Sequence, residues 1–262
     1  GQSVIVSTSN GELVSISSET GRINWESKWV RRHSGIENQN FKLEVDRRGN
    51  LWVAVLDQSF VYIQKDKRWY KSFNKYLEQC GIDGLPEHLI IWDMMFDKQG
   101  WMWLATDHEG LIVVNFKDRQ ARQFKYEKYD DTSISDNTTR MLYQAPDGAV
   151  WIGTYKNGVN QYRTSLSNFR SLELGDINTV STDLSGNYWL GTNDNGIIVY
   201  DPRSGEVLHH FTTANSALSG NIMVGSCLAS DGSVWFGSYN GGLTRCMPAA
   251  HPSQSVVVNY RS

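Results

Sequence analysis

Five times along this chain one short phrase returns: Gly, two residues, Trp, one residue, a small residue, then a residue that is usually Thr or Ser. The copies read GNLWVAV (49–55), GWMWLAT (100–106), GAVWIGT (148–154), GNYWLGT (186–192) and GSVWFGS (232–238). Their indoles, Trp52, Trp103, Trp151, Trp189 and Trp235, lie 51, 48, 38 and 46 residues apart. Short apolar runs and turn residues recurring at that period specify a β-propeller. The expected class is therefore all-β: a β-propeller of four-stranded antiparallel blades, about six blade units, whole or part of a larger propeller. The units fall at roughly 1–30, 40–76, 88–128, 136–172, 175–212 and 220–261 within a single propeller or propeller fragment spanning 1–262.

One repeat shows the local chemistry. In residues 176–211, DINTVSTD alternates and ends at Asp183, as a strand entering a turn does, and Gly186 supplies the flexible turn position. YWLGT is a second strand, Asn195-Gly196 predicts a tight two-residue hairpin, IIVYD is a third strand, PRSG a turn and EVLHHF a fourth strand. A Gly stands four residues after the Thr or Ser in most copies: Gly110, Gly158, Gly196 and Gly242. The first unit keeps that frame with Ser7 and Gly11 but has Val4 in place of Trp and no recognisable innermost strand. The second departs, with Val55 and Ser59 where Thr and Gly are expected. Each Trp is expected to wedge between blades, burying about 150–250 Å² for an upper limit of about 4–6 kcal/mol. The small residue two places on (Ala54, Ala105, Gly153, Gly191, Gly237) would admit the adjoining sheet.

Composition narrows the function classes. A net charge of −3 gives no broad attraction to nucleic acid or an anionic membrane. No run approaches the roughly 20 apolar residues of a spanning helix, and no charged-then-apolar leader opens the chain. A secreted chain with its leader removed reads the same way. Of three cysteines, Cys227 and Cys246 fall in one repeat on strands separated by a third, about 9–10 Å apart and beyond disulfide reach; all three read as buried free thiols. The aromatic-bearing basic stretches KWVRRH (28–33) and KDKRWYK (65–71) read as solvated outer strands or turns, not as a nucleic-acid site.

At the frame W-x-[AG]-[TS]-x-x-x-G-[LVI] the resemblance becomes specific. DLSGNYWLGTNDNGIIVYD (183–201) and DKQGWMWLATDHEGL (97–111) resemble two-component regulator propeller repeats, and SISDN (133–137) and ALSGN (217–221) resemble that family's links between blades. The resemblance covers almost the whole chain, strongly from about 41 to 246. It implies the periplasmic sensor propeller of a Bacteroidetes hybrid two-component system, a domain of an inner-membrane protein. It further implies an oligosaccharide ligand, a downstream kinase, a membrane segment outside this chain, and a dimer or neighbouring propeller as partner. The first unit, with its NGEL turn and TG-x-x-x-W ending, also resembles a quinoprotein-type repeat.

On a propeller the loops between second and third strands share a face with the loops between blades. The candidate ligand contacts there are Asp107-His108-Glu109, Tyr155-Lys156-Asn157, Asn193-Asp194-Asn195 and Tyr239-Asn240, with Trp92 added from the long connection at 80–92. Amides and carboxylates would bond sugar hydroxyls and rings would stack on C–H faces; Asn and Asp are also simply what tight turns prefer. No G-x-S-x-G, H-E-x-x-H, P-loop or G-x-G-x-x-G occurs, Asp130-Asp131 reads as a solvated turn, and the adjacent His209 and His210 point to opposite strand faces. The expectation is no enzyme, no catalytic residue, no metal and no cofactor. A protein-interaction scaffold, or a lyase or quinoprotein-type propeller enzyme, stand as alternatives.

Overall fold

The repeated phrase builds the second strand of every full sheet. The computed structural model describes residues 3–8, 10–36, 41–163 and 168–260. It forms two compact units, Gly1–Phe124 and Lys125–Ser262, with three sheets in each. In the first unit the sheets are β1 (Ser3–Ser7), β2 (Leu13–Ser17) and β3 (Ile23–Ser27); β4 (Lys42–Val45), β5 (Leu51–Val55), β6 (Gln58–Ile63) and β7 (Arg68–Tyr70); and β8 (Ile91–Phe96), β9 (Met102–Thr106), β10 (Leu111–Asn115) and β11 (Gln120–Phe124). In the second they are β12 (Thr139–Gln144), β13 (Val150–Thr154), β14 (Val159–Arg163) and β15 (Asn168–Leu172); β16 (Ile177–Thr182), β17 (Tyr188–Thr192), β18 (Ile197–Asp201) and β19 (Glu206–Phe211); and β20 (Met223–Leu228), β21 (Val234–Ser238), β22 (Gly242–Met247) and β23 (Val256–Tyr260). Every sheet is an antiparallel meander in chain order, so the fold is the expected all-β propeller of six blades. Among the described residues the first blade has three strands and no innermost one, as anticipated.

The Trp anchors a recurring device at the turn before its strand. Asp183 Oδ1 accepts the Ser185 and Asn187 backbone N–H groups at 2.9 and 3.0 Å, while Oδ2 accepts Asn187 Nδ2 at 3.1 Å and the Trp189 indole N–H at 3.0 Å. Asp46 does the same for Arg48, Asn50 and Trp52, and Asp97 for Gln99, Trp101 and Trp103. One carboxylate thus fixes a turn and satisfies an indole that burial would otherwise strand. Where Ala145 and Ala229 replace that Asp, the acid shifts two residues on. Asp147 and Asp231 accept the amides of Ala149 and Ser233 and pair with Arg163 and Arg245, and Trp235 turns to Ser233 Oγ at 3.0 Å.

Packing follows the wedge logic. Trp52 is fully buried among Phe73, Phe96 and Phe116, joining the second sheet to the third; Trp151 meets Tyr188 and Tyr200 of the next sheet at 4.4 and 6.1 Å. Two of the small residues are needed for close approach, since a Cβ on Gly153 would lie 2.7 Å from the Ile177 carbonyl oxygen and one on Gly191 2.7 Å from Met223 Cβ; Gly237 is not, a Cβ there meeting nothing nearer than Val224 at 3.8 Å. Trp235 departs from the expectation. Only half-buried, it stacks on Tyr260 at 5.6 Å, on a face where Leu243 and Val256 are also exposed.

Three local expectations are corrected. The connection at Asn195-Gly196 is four residues long, because Thr192 N–H and Oγ1 both bond the Gly196 carbonyl and hold a wider loop. A two-residue hairpin occurs instead in the deviant second blade, at Leu56-Asp57, and there Ser59 Oγ accepts the Phe73 N–H. KWVRRH lies in neither strand nor turn: Trp29–Ser34 is a helix, α1, with Val30 buried, Trp29 stacked on Trp69 at 4.7 Å, and Lys28 and Arg31 paired with Glu12. A second helix, α2 (Phe73–Gln79), buries Phe73 and Leu77. The three thiols are free, but Cys227 is exposed and Cys80 half-exposed, so only Cys246 is buried as expected. Cys227 and Cys246 do lie on strands flanking a third.

Candidate functional site

A repeated contact puts the predicted loops where they were expected. The residue after each Thr or Ser donates its backbone N–H to the residue just ahead of the innermost strand: Asp107 to Ile90, Tyr155 to Thr138, Asn193 to Asp176 and Tyr239 to Ile222, all at 2.9–3.0 Å. In these four blades the loop between second and third strands is therefore clamped to the connection between blades. The loop glycines leave no alternative. Gly158 and Gly196 have φ of +73° and +75°, and a Cβ there would sit 2.3 and 2.1 Å from the carbonyl oxygens of Leu172 and Phe211.

Beside each clamp the innermost strand carries a register shift. The shifts fall between Ile91 and Asp93, Thr139 and Met141, Ile177 and Thr179, and Met223 and Gly225, leaving Trp92, Arg140, Asn178 and Val224 as the extra residues. A bulge of this kind re-aims a side chain beside a site. In the first unit this brings Trp92 to the same loop end as Asp107 and His108. His108, itself at φ +64°, has Nδ1 3.1 Å from Asp107 Oδ1.

The second unit gathers more. Tyr155 is 44% exposed, with the Arg140 guanidinium 4.7 Å and the Lys156 ammonium 5.0 Å from its ring centre. Asn178 Nδ2 bridges Asn193 Oδ1 and the Met223 carbonyl, tying one blade's loop to the next blade's strand. Burial first, then the neighbouring Asp194 and Asp136, hold the Asp176 carboxyl above the ordinary carboxylate range, with Lys156 opposing them. Tyr239 is well exposed, and Asn240 takes the left-handed conformation at φ +55°.

Lys156 and Asn157 also reach a cleft of about 980 Å³, walled mostly by residues outside the predicted ligand contacts. Ser135, Asp136 and Asn137 form one side, with Asn157 Nδ2 on Asp136 Oδ2 at 3.1 Å and Ser135 Oγ donating to the Asn157 carbonyl at 2.7 Å. Glu127, Asp130 and Asp131, the last two read as a solvated turn, border it as well. Among the described residues no group of three or more His, Cys, Asp or Glu is arranged to hold a metal, and no helix is long and apolar enough to cross a membrane.

Comparison with known proteins agrees with the repeat. Residues 133–156 match the family described as Two component regulator propeller, so the segment that resembled its blade link lies within a repeat of that type. No curated protein sequence matches the chain. Among solved structures, it is similar to the extracellular domain attributed to the hybrid two component system BT3049 of B. thetaiotaomicron, at 16% identity and TM-score 0.67 over 85% of this chain and 30% of that one. The extracellular domain of BT4673 from the same organism gives 17% and 0.68 over 99% and 39%. A virginiamycin B lyase from Staphylococcus aureus gives 14% and 0.61 over 85% and 70%. At these identities the likeness is one of fold, and the chain spans about a third of the length of the two extracellular domains.

Proposed function

From blades that carry a two component regulator propeller repeat, we propose that this chain belongs to the periplasmic ligand-sensing propeller of a hybrid two-component regulator. It binds a glycan-derived oligosaccharide on its loop face and signals to a downstream kinase. It binds its ligand without transforming it.

The observation that carries the reading is the exposed Tyr155 ring beside the 980 Å³ cleft, with Lys156 common to both. A cleft that size stands at the upper end of small-ligand pockets and has room for several sugar rings. Its wall offers hydroxyl, amide and carboxylate groups in fixed positions, and the ring offers an apolar face for pyranose C–H groups. The matched repeat, 133–156, contains Tyr155, Lys156 and the Ser133–Asn137 side of the cleft. Signalling then requires the sugar to prefer one arrangement of the receptor over another, since equal affinity for two states shifts neither.

Calorimetric titration of the chain against a panel of neutral oligosaccharides tests this directly. A binder is expected whose affinity drops roughly tenfold in Tyr155→Ala and in Lys156→Ala. Silence across the panel, or a binder indifferent to both substitutions, would overturn it.

A further inference from the structure

At the opposite end of the strands, where the second and third sheets of the first unit turn between their first two strands, lies a separate cavity of about 320 Å³. Its inner wall is aromatic. Tyr76, Phe96 and Phe116 are half-buried and ring Trp52, with centroids 5.6, 5.7 and 5.8 Å from the indole. Its mouth is cationic, bordered by Arg47 and Arg48 of the β4–β5 turn and Lys117 after β10, all three exposed.

The one acid in the lining, Asp46, faces three cations and has both oxygens engaged. Asp46 already accepts the amides of Arg48 and Asn50 on one oxygen, and Asn50 Nδ2 and the Trp52 indole N–H on the other. Arg47 is tethered through its guanidinium to the Lys98 carbonyl. Arg48 and Lys117 join no ion pair among the described residues. Burial, and then Cys80, raise the Tyr76 hydroxyl above its ordinary pKa, and its neutral phenol is a hydrogen-bond donor as well as an acceptor. An aromatic wall beneath a mouth of uncommitted cations fits a ligand with one ring and one negative group, its carboxylate meeting donors while the ring meets ring edges.

We propose that this cavity binds a small organic acid built on a single ring, with the carboxylate held by Arg48 and Lys117 and the ring against Tyr76, Phe96 and Phe116. Such a site is independent of the loop-face site, in position and in the charge it selects.

The test is calorimetric titration of the whole chain with benzoate and glucuronate as probes, set against benzyl alcohol and glucose as their neutral counterparts. At least one acid is expected to bind at one equivalent, with its neutral counterpart roughly tenfold weaker or more. Benzoate binding identifies a planar ring, glucuronate binding a pyranose. Arg48→Gln and Lys117→Gln should each weaken the acid by a similar factor with unchanged melting temperature, and Tyr155→Ala should leave it unaltered. Raising salt from about 0.05 to about 0.5 M should weaken it further. Silence from both acids, equal binding of acid and neutral ring, or full affinity in the two Gln variants would overturn the assignment.

Discussion

Replacing Asp183 by Ala probes the device that seats an indole and its turn together. Asp183 is 6% exposed and accepts four hydrogen bonds, two of them from the buried side chains of Asn187 and Trp189. Alanine leaves those two donors without an acceptor, at about 1–3 kcal/mol each, so the expected loss centres on about 4 kcal/mol. For a cooperative unit of this size that is a fall in Tm of roughly 8–16 °C. The chain supplies its own control, because the sixth sheet keeps the turn with Ala229, Asp231 and Ser233 at the corresponding places. The triple variant Asp183→Ala, Ser185→Asp, Asn187→Ser transplants that arrangement and should regain at least half of the lost stability. Urea-unfolding curves of the three proteins decide the matter. A loss below about 1 kcal/mol in the single variant, the size of an ordinary surface substitution, would refute the reasoning. So would a triple variant no better than the single.

Thiol titration should sort the cysteines by burial. Cys227 is expected to react promptly in the native protein, half-exposed Cys80 slowly, and fully buried Cys246, its pKa pushed up to about 12 by burial, only after denaturation; three prompt equivalents would contradict the packing. Asp176 should leave a pH signature. Because its folded-state pKa is raised, the native protein binds its proton more tightly, and its contribution to stability falls as pH climbs from the unfolded value near 4 through the raised one. Asp176→Asn should therefore match the parent near pH 3 and exceed it near pH 7 in denaturant titrations; an equal change at both pH values would count against a carboxyl raised by burial and its acidic neighbours.

How much of this was legible beforehand depends on how often each signal recurs. The Gly-x-x-Trp phrase marks β5, β9, β13, β17 and β21 because five copies repeat one chemistry. The Thr-to-Gly spacing likewise marks the loop clamp, though not the four-residue length of the loop at 193–196. The helices stand outside the period. α2 nevertheless carries its own signal, Ser72 followed by apolar Phe73, Tyr76 and Leu77 at helical spacing, which a search for strands passes over. The bulges at Trp92, Arg140, Asn178 and Val224 are properties of strand register, and four unlike side chains give the sequence no common mark. The cation-mouthed cavity draws on residues from 46 to 117, so only the packing of two sheets assembles it. Asp46, Asp97 and Asp183 were readable as turn residues; their second task, receiving an indole proton, needed coordinates.

Those bulges have a consequence for how a binding face built on this fold could change its ligand. A side chain in a regular ladder faces two demands at once, from the sheet it belongs to and from the neighbour it covers. The extra residue of a bulge escapes most of the first, since the strand continues on either side of it. Four blades each gain one slot that the ladder constrains less, and indole, guanidinium, amide and isopropyl groups occupy them. Selectivity can drift there by single substitutions while the tryptophan-and-carboxylate framework stays untouched.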